Sequence, residues 1–227
     1  MMPIRPHSAI KHLALLVLSL SLPVEGASSI GDIEELHTFS VGSTVPDNSA
    51  IGLADTRSVA SSITNITSIE VTLSLFGGWA GDIYAYVSHS TGFSVLLNRP
   101  GRTLADLAGS GVSEINVTFS DSALTDIHTG IPAAGNVSGY FQPDARGADP
   151  DDAVDSSPRT AFLSSFAGLD ANGSWTLYIA DSAAGDAMTL QGWSIRVTGV
   201  PEPSAGILMV GAALCLMRRQ RAQPAFR

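Results

Sequence analysis

The sequence offers little that can act as a nucleophile or hold a soft metal: five histidines, one cysteine and one lysine in 227 residues. Lys11 and two of the histidines fall within the first twelve residues, and Cys215 lies in an apolar stretch near the C-terminus. Schiff-base chemistry, an internal disulfide framework and a Cys-based zinc site are therefore excluded from the body of the chain. A catalytic triad would have to use His37, His89 or His128. No Gly-x-Ser-x-Gly elbow, His-Glu-x-x-His, P-loop or Gly-x-Gly-x-x-Gly occurs. In Gly135-Asn136-Val137-Ser138-Gly139 the serine stands one place too late for an elbow. The three histidines sit in turn-like contexts, which predicts exposed or hydrogen-bonded loop residues. No catalytic residue is expected.

Oxygen chemistry is better supplied. Asp144, Asp149, Asp151, Asp152 and Asp155 crowd a loop punctuated by Pro143, Gly147, Pro150 and Pro158. Calcium takes six to eight oxygens at about 2.3–2.6 Å, and flexible carboxylate loops supply them, so Asp149, Asp151, Asp152 and Asp155 are the candidate calcium ligands. The spacing is not that of an EF-hand, which needs glycine at the sixth position and glutamate at the twelfth. The competing reading is a solvated acidic loop with Arg146 and Arg159 as local ion-pair partners. Asp82 and Asp181 stand in turn sequences, where an Asx-turn role competes with a second calcium position. Trp79, Trp175 and Trp193, with Tyr84 and Tyr86, contain the aromatic surface a sugar-stacking platform needs. Trp175 and Trp193 begin strand-like runs and are expected in the core, leaving Trp79, in a glycine-rich turn, as the candidate ligand contact. Four Asn-x-Ser/Thr sequons, at Asn65, Asn116, Asn136 and Asn172, are ordinary products of a Ser/Thr-rich composition.

The elements that would position these residues read as strands. Ile69 to Phe76 alternates apolar and polar residues, Ile83 to Val87 and Phe93 to Leu97 follow after Gly/Asp and Thr-Gly turns, and Ile115 to Phe119 alternates again. Trp175 to Ile179 and Trp193 to Val197 close the set, parted by the turn from Asp181 to Asp186. Only Ala161 to Phe166 suggests a short helix. Many short strands between polar turns predict an all-β sandwich or barrel.

The stretch Ile69 to Leu97 with Gly81-Asp82-Ile83 at its centre resembles the early strands of the P domain (Homo B domain) of kexin-like proprotein convertases. Asn172-Gly173-Ser174-Trp175 through Asp181, Gly185 and Gly192-Trp193 to Gly199 is similar to its end. The resemblance spans about Gly31 to Gly199. The sequence departs from the family pattern at Gly77, where a histidine is common, and at Ser88-His89-Ser90-Thr91-Gly92-Phe93, a turn longer by one residue. What the resemblance implies is a jelly-roll-like β-sandwich. In the convertases this domain supports a subtilisin-type catalytic domain, for which the sequence between the ends leaves no room.

The ends read as addresses. Met1 to His12 carries Arg5 and Lys11 without an acid, an apolar run follows from Leu13 to Leu22, and Pro23 and small residues precede Ala27, the layout of a signal peptide over residues 1–26. Beyond the sandwich, residues 27–199, comes a C-terminal unit, residues 200–227. There Pro201-Glu202-Pro203 precedes the apolar run Ser204 to Met217 and then Arg218, Arg219 and Arg221. Fourteen helical residues reach about 21 Å against a hydrocarbon core of about 30 Å, a marginal transmembrane helix with its arginines on the cytoplasmic side. This order resembles the PEP-CTERM sorting signal of exported bacterial proteins. The resemblance implies an exosortase of the inner membrane as partner, with cleavage near the Pro-Glu-Pro motif.

Between the ends, six arginines face nineteen acids, a net charge of −13. Such a surface repels nucleic acid and anionic lipid and attracts divalent cations. The sequence thus predicts a non-catalytic, exported protein of the bacterial cell surface or extracellular matrix, transiently anchored in the inner membrane. The alternative is a lectin-like, calcium-assisted module that binds extracellular polysaccharide.

Overall fold

The computed structural model describes residues 31–202. The signal-peptide residues 1–26, and Pro203, Arg218, Arg219 and Arg221 of the sorting motif, lie outside the described residues. Nine strands follow in order: β1 (Ile33–Thr44), β2 (Ser49–Val59), β3 (Ile63–Phe76), β4 (Ile83–His89), β5 (Gly92–Asn98), β6 (Gly111–Phe119), β7 (Ala134–Phe141), β8 (Gly173–Asp181) and β9 (Thr189–Pro201). They form a five-stranded sheet, β1-β9-β3-β6-β7, and a four-stranded sheet, β2-β8-β4-β5. All neighbours are antiparallel except β6 and β7. This is the all-β sandwich that the strand pattern predicts.

The alternating residues meet between the sheets. Val71, Leu73 and Leu75 of β3, Ile115, Val117 and Phe119 of β6, and Trp193, Ile195 and Val197 of β9 point inward from one sheet. Ile83, Ala85 and Val87 of β4 and Trp175, Leu177 and Ile179 of β8 meet them from the other. Burying one such aliphatic side chain contributes about 1.5–3 kcal/mol, so this shared layer sets the register of the two sheets. Trp175 and Trp193 are core residues, as expected, although Trp175 is the third residue of its strand and Trp193 the fifth. Of the Ala161 to Phe166 segment, only Leu163–Phe166 is helical, as a 3-10 turn.

Three strands carry no apolar alternation in the sequence. The inward positions of β1 include Glu35 and His37, and those of β2 include Asp55 and Arg57. The space between these two edges is closed by polar contacts: Arg57 Nε and Trp193 Nε1 both donate to Asp55 Oδ2, at 2.8 and 2.7 Å. The third, β7, contains the Gly135–Gly139 segment and runs parallel along the sheet edge with only Val137 buried. At the far end β9 continues through Val200 to Pro201, which pairs with Ile63, and the Glu202 N–H donates to the Ser62 carbonyl at 3.0 Å.

Candidate functional site

The acidic loop is reached through its one fully buried carboxylate. Asp144 Oδ2 accepts from the backbone N–H of Asn98 at 3.1 Å and from Nδ1 of His128 at 2.8 Å, while Oδ1 accepts from Arg146 Nη1 at 3.1 Å. Arg146 also reaches Asp126 at 2.9 Å, and Arg159 approaches the same carboxylate at 3.8 Å. Asp126 in turn caps the short helix α1 (Ile127–Gly130) by accepting from the His128 N–H. Arg146 thus pairs with one loop acid, Asp144, whereas Arg159 approaches only Asp126 and donates to the Asp144 and Pro143 carbonyls; the network ties α1 and the 144–160 segment to β5.

His128 is the centre of this network. Its Nε2 faces the Arg102 carbonyl oxygen at 2.9 Å, so both ring nitrogens point at acceptors and only the imidazolium donates to both. Burial works against that charge, but the hydrogen bond and charge of Asp144, with the Arg102 carbonyl, outweigh it and raise the pKa above the ordinary value. Arg102 stitches the same region through Nε to the Leu107 carbonyl and its terminal nitrogens to the Pro150 and Asp151 carbonyls.

The turn-like placement expected for the histidines needs correction. His37 lies in β1, His89 ends β4 and His128 belongs to α1; the last two are buried. His89 stacks parallel on Trp175 at 4.1 Å and bridges the carbonyls of Ser174 and Asp170 at 3.0 and 2.7 Å. The ring joins the end of β4 to the chain entering β8. His37 Nε2 stands 3.4 Å from Glu35. The three are held by different elements and by structural partners.

The four candidate calcium ligands are engaged separately. Asp149 Oδ1 accepts from the Asp151 N–H, Asp155 Oδ1 accepts from the Ser156 N–H, Asp151 stands 3.6 Å from Arg99, and Asp152 is exposed. Among the described residues, no group of three or more His, Cys, Asp or Glu is arranged to hold a metal. Trp79 is 38 % exposed; its Nε1 donates to the Ala108 carbonyl at 3.1 Å. Its ring lies over Gly111, where a Cβ would come within 2.7 Å of it. One face of the indole therefore closes the turn against β6.

Two surfaces stand out elsewhere. A cleft of about 550 Å³ on the five-stranded sheet is lined in part by Glu34, Glu70, Asp121, Tyr140 and Arg196. Its charges are mutually engaged: Arg196 pairs with Glu34 and Glu70, and Asp121 accepts from the Leu163 and Ser164 N–H groups. On the other sheet Phe93, Tyr86 and Tyr178 form an aromatic row, Tyr86 and Tyr178 stacked at 4.8 Å, with Tyr84 edge-on to Tyr178. Burial, then the neighbouring phenols and Asp149, push the Tyr84 hydroxyl up to about 12.

A buried carboxylate oxygen without a partner stands at one end of the sandwich, where sequence reasoning saw two separate turns. Asp181 ends β8 and is fully buried; its Oδ1 accepts from the Ala183 N–H at 3.2 Å, and its Oδ2 is buried without a hydrogen-bond partner. Register places Asp181 opposite Ile83 on one side and Ser49 on the other, which brings Asp82 and Asp47 to the same end. The Ser182 N–H donates to the Asp82 carbonyl at 2.8 Å, and Asp47 accepts from the Gly185 N–H at 3.1 Å. The nearby cation is Arg99, 3.6 Å from Asp82 and bonded through Nε to the Gly81 carbonyl. Burial, then the charges of Asp82 and Asp47, push Asp181 up to about 6. Burial also raises Asp82, with Asp186 and Asp47 adding to it against the opposing pull of Arg99 and Arg102. Asp186 was legible only as the end of a turn, and Asp47 carried no signal in the sequence.

No protein-family model matches this chain, and no curated protein matches it. Among solved structures it is similar to the complex of an Aeromonas sobria serine protease with a chaperone. The match has 15% identity and a TM-score of 0.42, over 74% of this chain and 27% of that one. The structure of the Aeromonas sobria serine protease is similar at 14% identity and a TM-score of 0.41, again over 74% and 27%. The chain thus spans about a quarter of the length of the solved chains it matches.

Proposed function

We propose that this chain is an exported, non-catalytic protein of the bacterial cell surface or extracellular matrix. In this reading a P-domain-like jelly roll is carried out by an N-terminal signal peptide and sorted by an exosortase through the C-terminal signal. The observation that carries it is the order Pro201-Glu202-Pro203, apolar run, Arg218-Arg219-Arg221 in the sequence. The sandwich is compatible with that order, because β9 runs directly into Pro201 and the Glu202 N–H is tied to Ser62. Cleavage beyond this point would release the sandwich with both sheets whole. The engagement of His89 and His128 by backbone carbonyls and Asp144 supports a scaffolding role for these histidines.

The test is the intact mass of the chain recovered from envelope and medium of its native host. A mass that starts near Ala27 and lacks everything beyond the Pro-Glu-Pro region is the expected result. A mass that retains Arg218 to Arg227 would leave a permanently anchored membrane protein and overturn the sorting step.

A further inference from the structure

We propose that the end of the sandwich formed by Asp181, Asp82 and Asp47 is a binding site for a hard divalent cation of the calcium type. The site is distinct from the acidic loop that the sequence draws attention to, and the inference does not depend on the sorting-signal reading.

The central observation is Asp181. A carboxylate oxygen taken out of water without a donor is costly, and Oδ2 of Asp181 is such an oxygen in a residue with no exposed surface. The charges around it make matters worse. Asp82 and Asp47 both repel it, and the opposing charge is Arg99, which is divided among Asp82, Asp151 and the Gly81 carbonyl. The other five arginines among the described residues are engaged by different partners, so no spare guanidinium turns toward Asp181. Two species can satisfy Oδ2: a proton in mildly acidic solution, or a cation at neutral pH, where the carboxylate is ionised.

The chemistry of the donors selects the cation. The three aspartates offer carboxylate oxygens, with neither thiolate nor imidazole among them, which disfavours zinc and copper and suits calcium or magnesium. They come from separate segments: the turn before β2, the 3-10 turn Ala80–Asp82 and the end of β8. Asp47 and Asp186 are exposed. Calcium tolerates such irregular, adjustable ligands, whereas magnesium demands a near-ideal octahedron. Because these side chains do not yet stand as a coordination group, binding draws the exposed Asp47 inward onto Asp181 and Asp82 and tightens the loop that Gly185 anchors.

The experiment uses the full chain, freed of metal with a chelator, titrated with CaCl2 by calorimetry while Tm is followed, with MgCl2 in parallel. One calcium site with a Kd of about 10⁻⁴ M, weaker magnesium binding and a Tm that climbs with calcium are expected. Asp181→Asn should weaken binding at least about tenfold. Because a buried substitution can also unfold the chain, Asp47→Asn provides a second reading at an exposed position and should weaken binding as well. The pair Asp152→Asn and Asp155→Asn, in the acidic loop and away from Arg99, should bind calcium as the parent does. Absence of heat and of any Tm shift up to about 10 mM calcium overturns the proposal. So does binding that survives both Asp181→Asn and Asp47→Asn, or that disappears only with Asp152 and Asp155.

Discussion

His128 and Asp181 show how one buried ring and one buried carboxylate both make a fold lose stability as pH rises, from different causes and in different pH windows. His128 donates from both nitrogens, to Asp144 and to the Arg102 carbonyl, so the folded state holds its proton more tightly than the unfolded chain does. The stabilisation is complete below the unfolded value of about 6.5 and is lost as pH rises through the higher folded value. Asp181 is raised to about 6 by burial and by Asp82 and Asp47, so its ionisation in the metal-free protein removes stability as pH climbs from about 4 to about 6. The two windows are separate and can be tested apart. His128→Gln should lower stability by about 3–5 kcal/mol near pH 6, since it leaves Asp144 and Arg146 with a broken buried network. The difference from the parent should shrink toward pH 9. Denaturant unfolding at both pH values measures it, and a pH-independent difference would mean that the ring acts by packing alone.

At the scale of the element, close backbone contacts decide where the charged residues stand. A Cβ on Gly81 would lie 2.2 Å from the Ala108 carbonyl oxygen and 2.9 Å from the Ser110 nitrogen, main-chain atoms that cannot rotate away. Gly81→Ala should therefore push the 3-10 turn bearing Asp82 off the 100–110 loop, at a cost of about 1–3 kcal/mol in denaturant unfolding. An unchanged midpoint would show that the loop yields. Gly81-Asp82 was legible as a turn beside a strand; β3, β4, β6, β8 and β9 were legible because their inward positions are largely apolar and alternate, and β5 as a short apolar run after a Thr-Gly turn. β1 and β2 were not, since Glu35, His37, Asp55 and Arg57 occupy positions where the pattern needs hydrophobic side chains. β7 was not, because an edge strand with one buried residue imposes no period on its sequence. The candidate site was legible in pieces only. Density of aspartates along the chain marked residues 144–155, but a carboxylate's partners are chosen by register across sheets. Asp144 is completed by His128, and Asp181 meets Asp82 and Asp47 only once β8 lies between β4 and β2.

Across the whole molecule, the charge of −13 between the two ends is carried by a body whose six arginines are all committed to carboxylates or carbonyls. Long-range repulsion among the remaining acids opposes the compact state, and monovalent salt screens it, with a Debye length of about 10 Å at 0.1 M. The buried network around Asp144 is screened far less than surface charges are. NaCl should therefore raise Tm by a few degrees toward about 0.1 M and then level off. Calcium at about 1 mM adds negligible ionic strength, so any rise it produces reports occupancy of a site rather than screening. The expected pattern is additive: a calcium increment on top of the NaCl plateau in the parent, and the NaCl response alone in Asp181→Asn. A fall in Tm with NaCl would mean that surface pairs such as Arg196 with Glu34 and Glu70 outweigh the repulsion. A calcium increment that vanishes at 0.1 M NaCl in the parent would reduce the cation effect to diffuse attraction by the acidic surface, because a site built on the buried Asp181 should keep most of its affinity there.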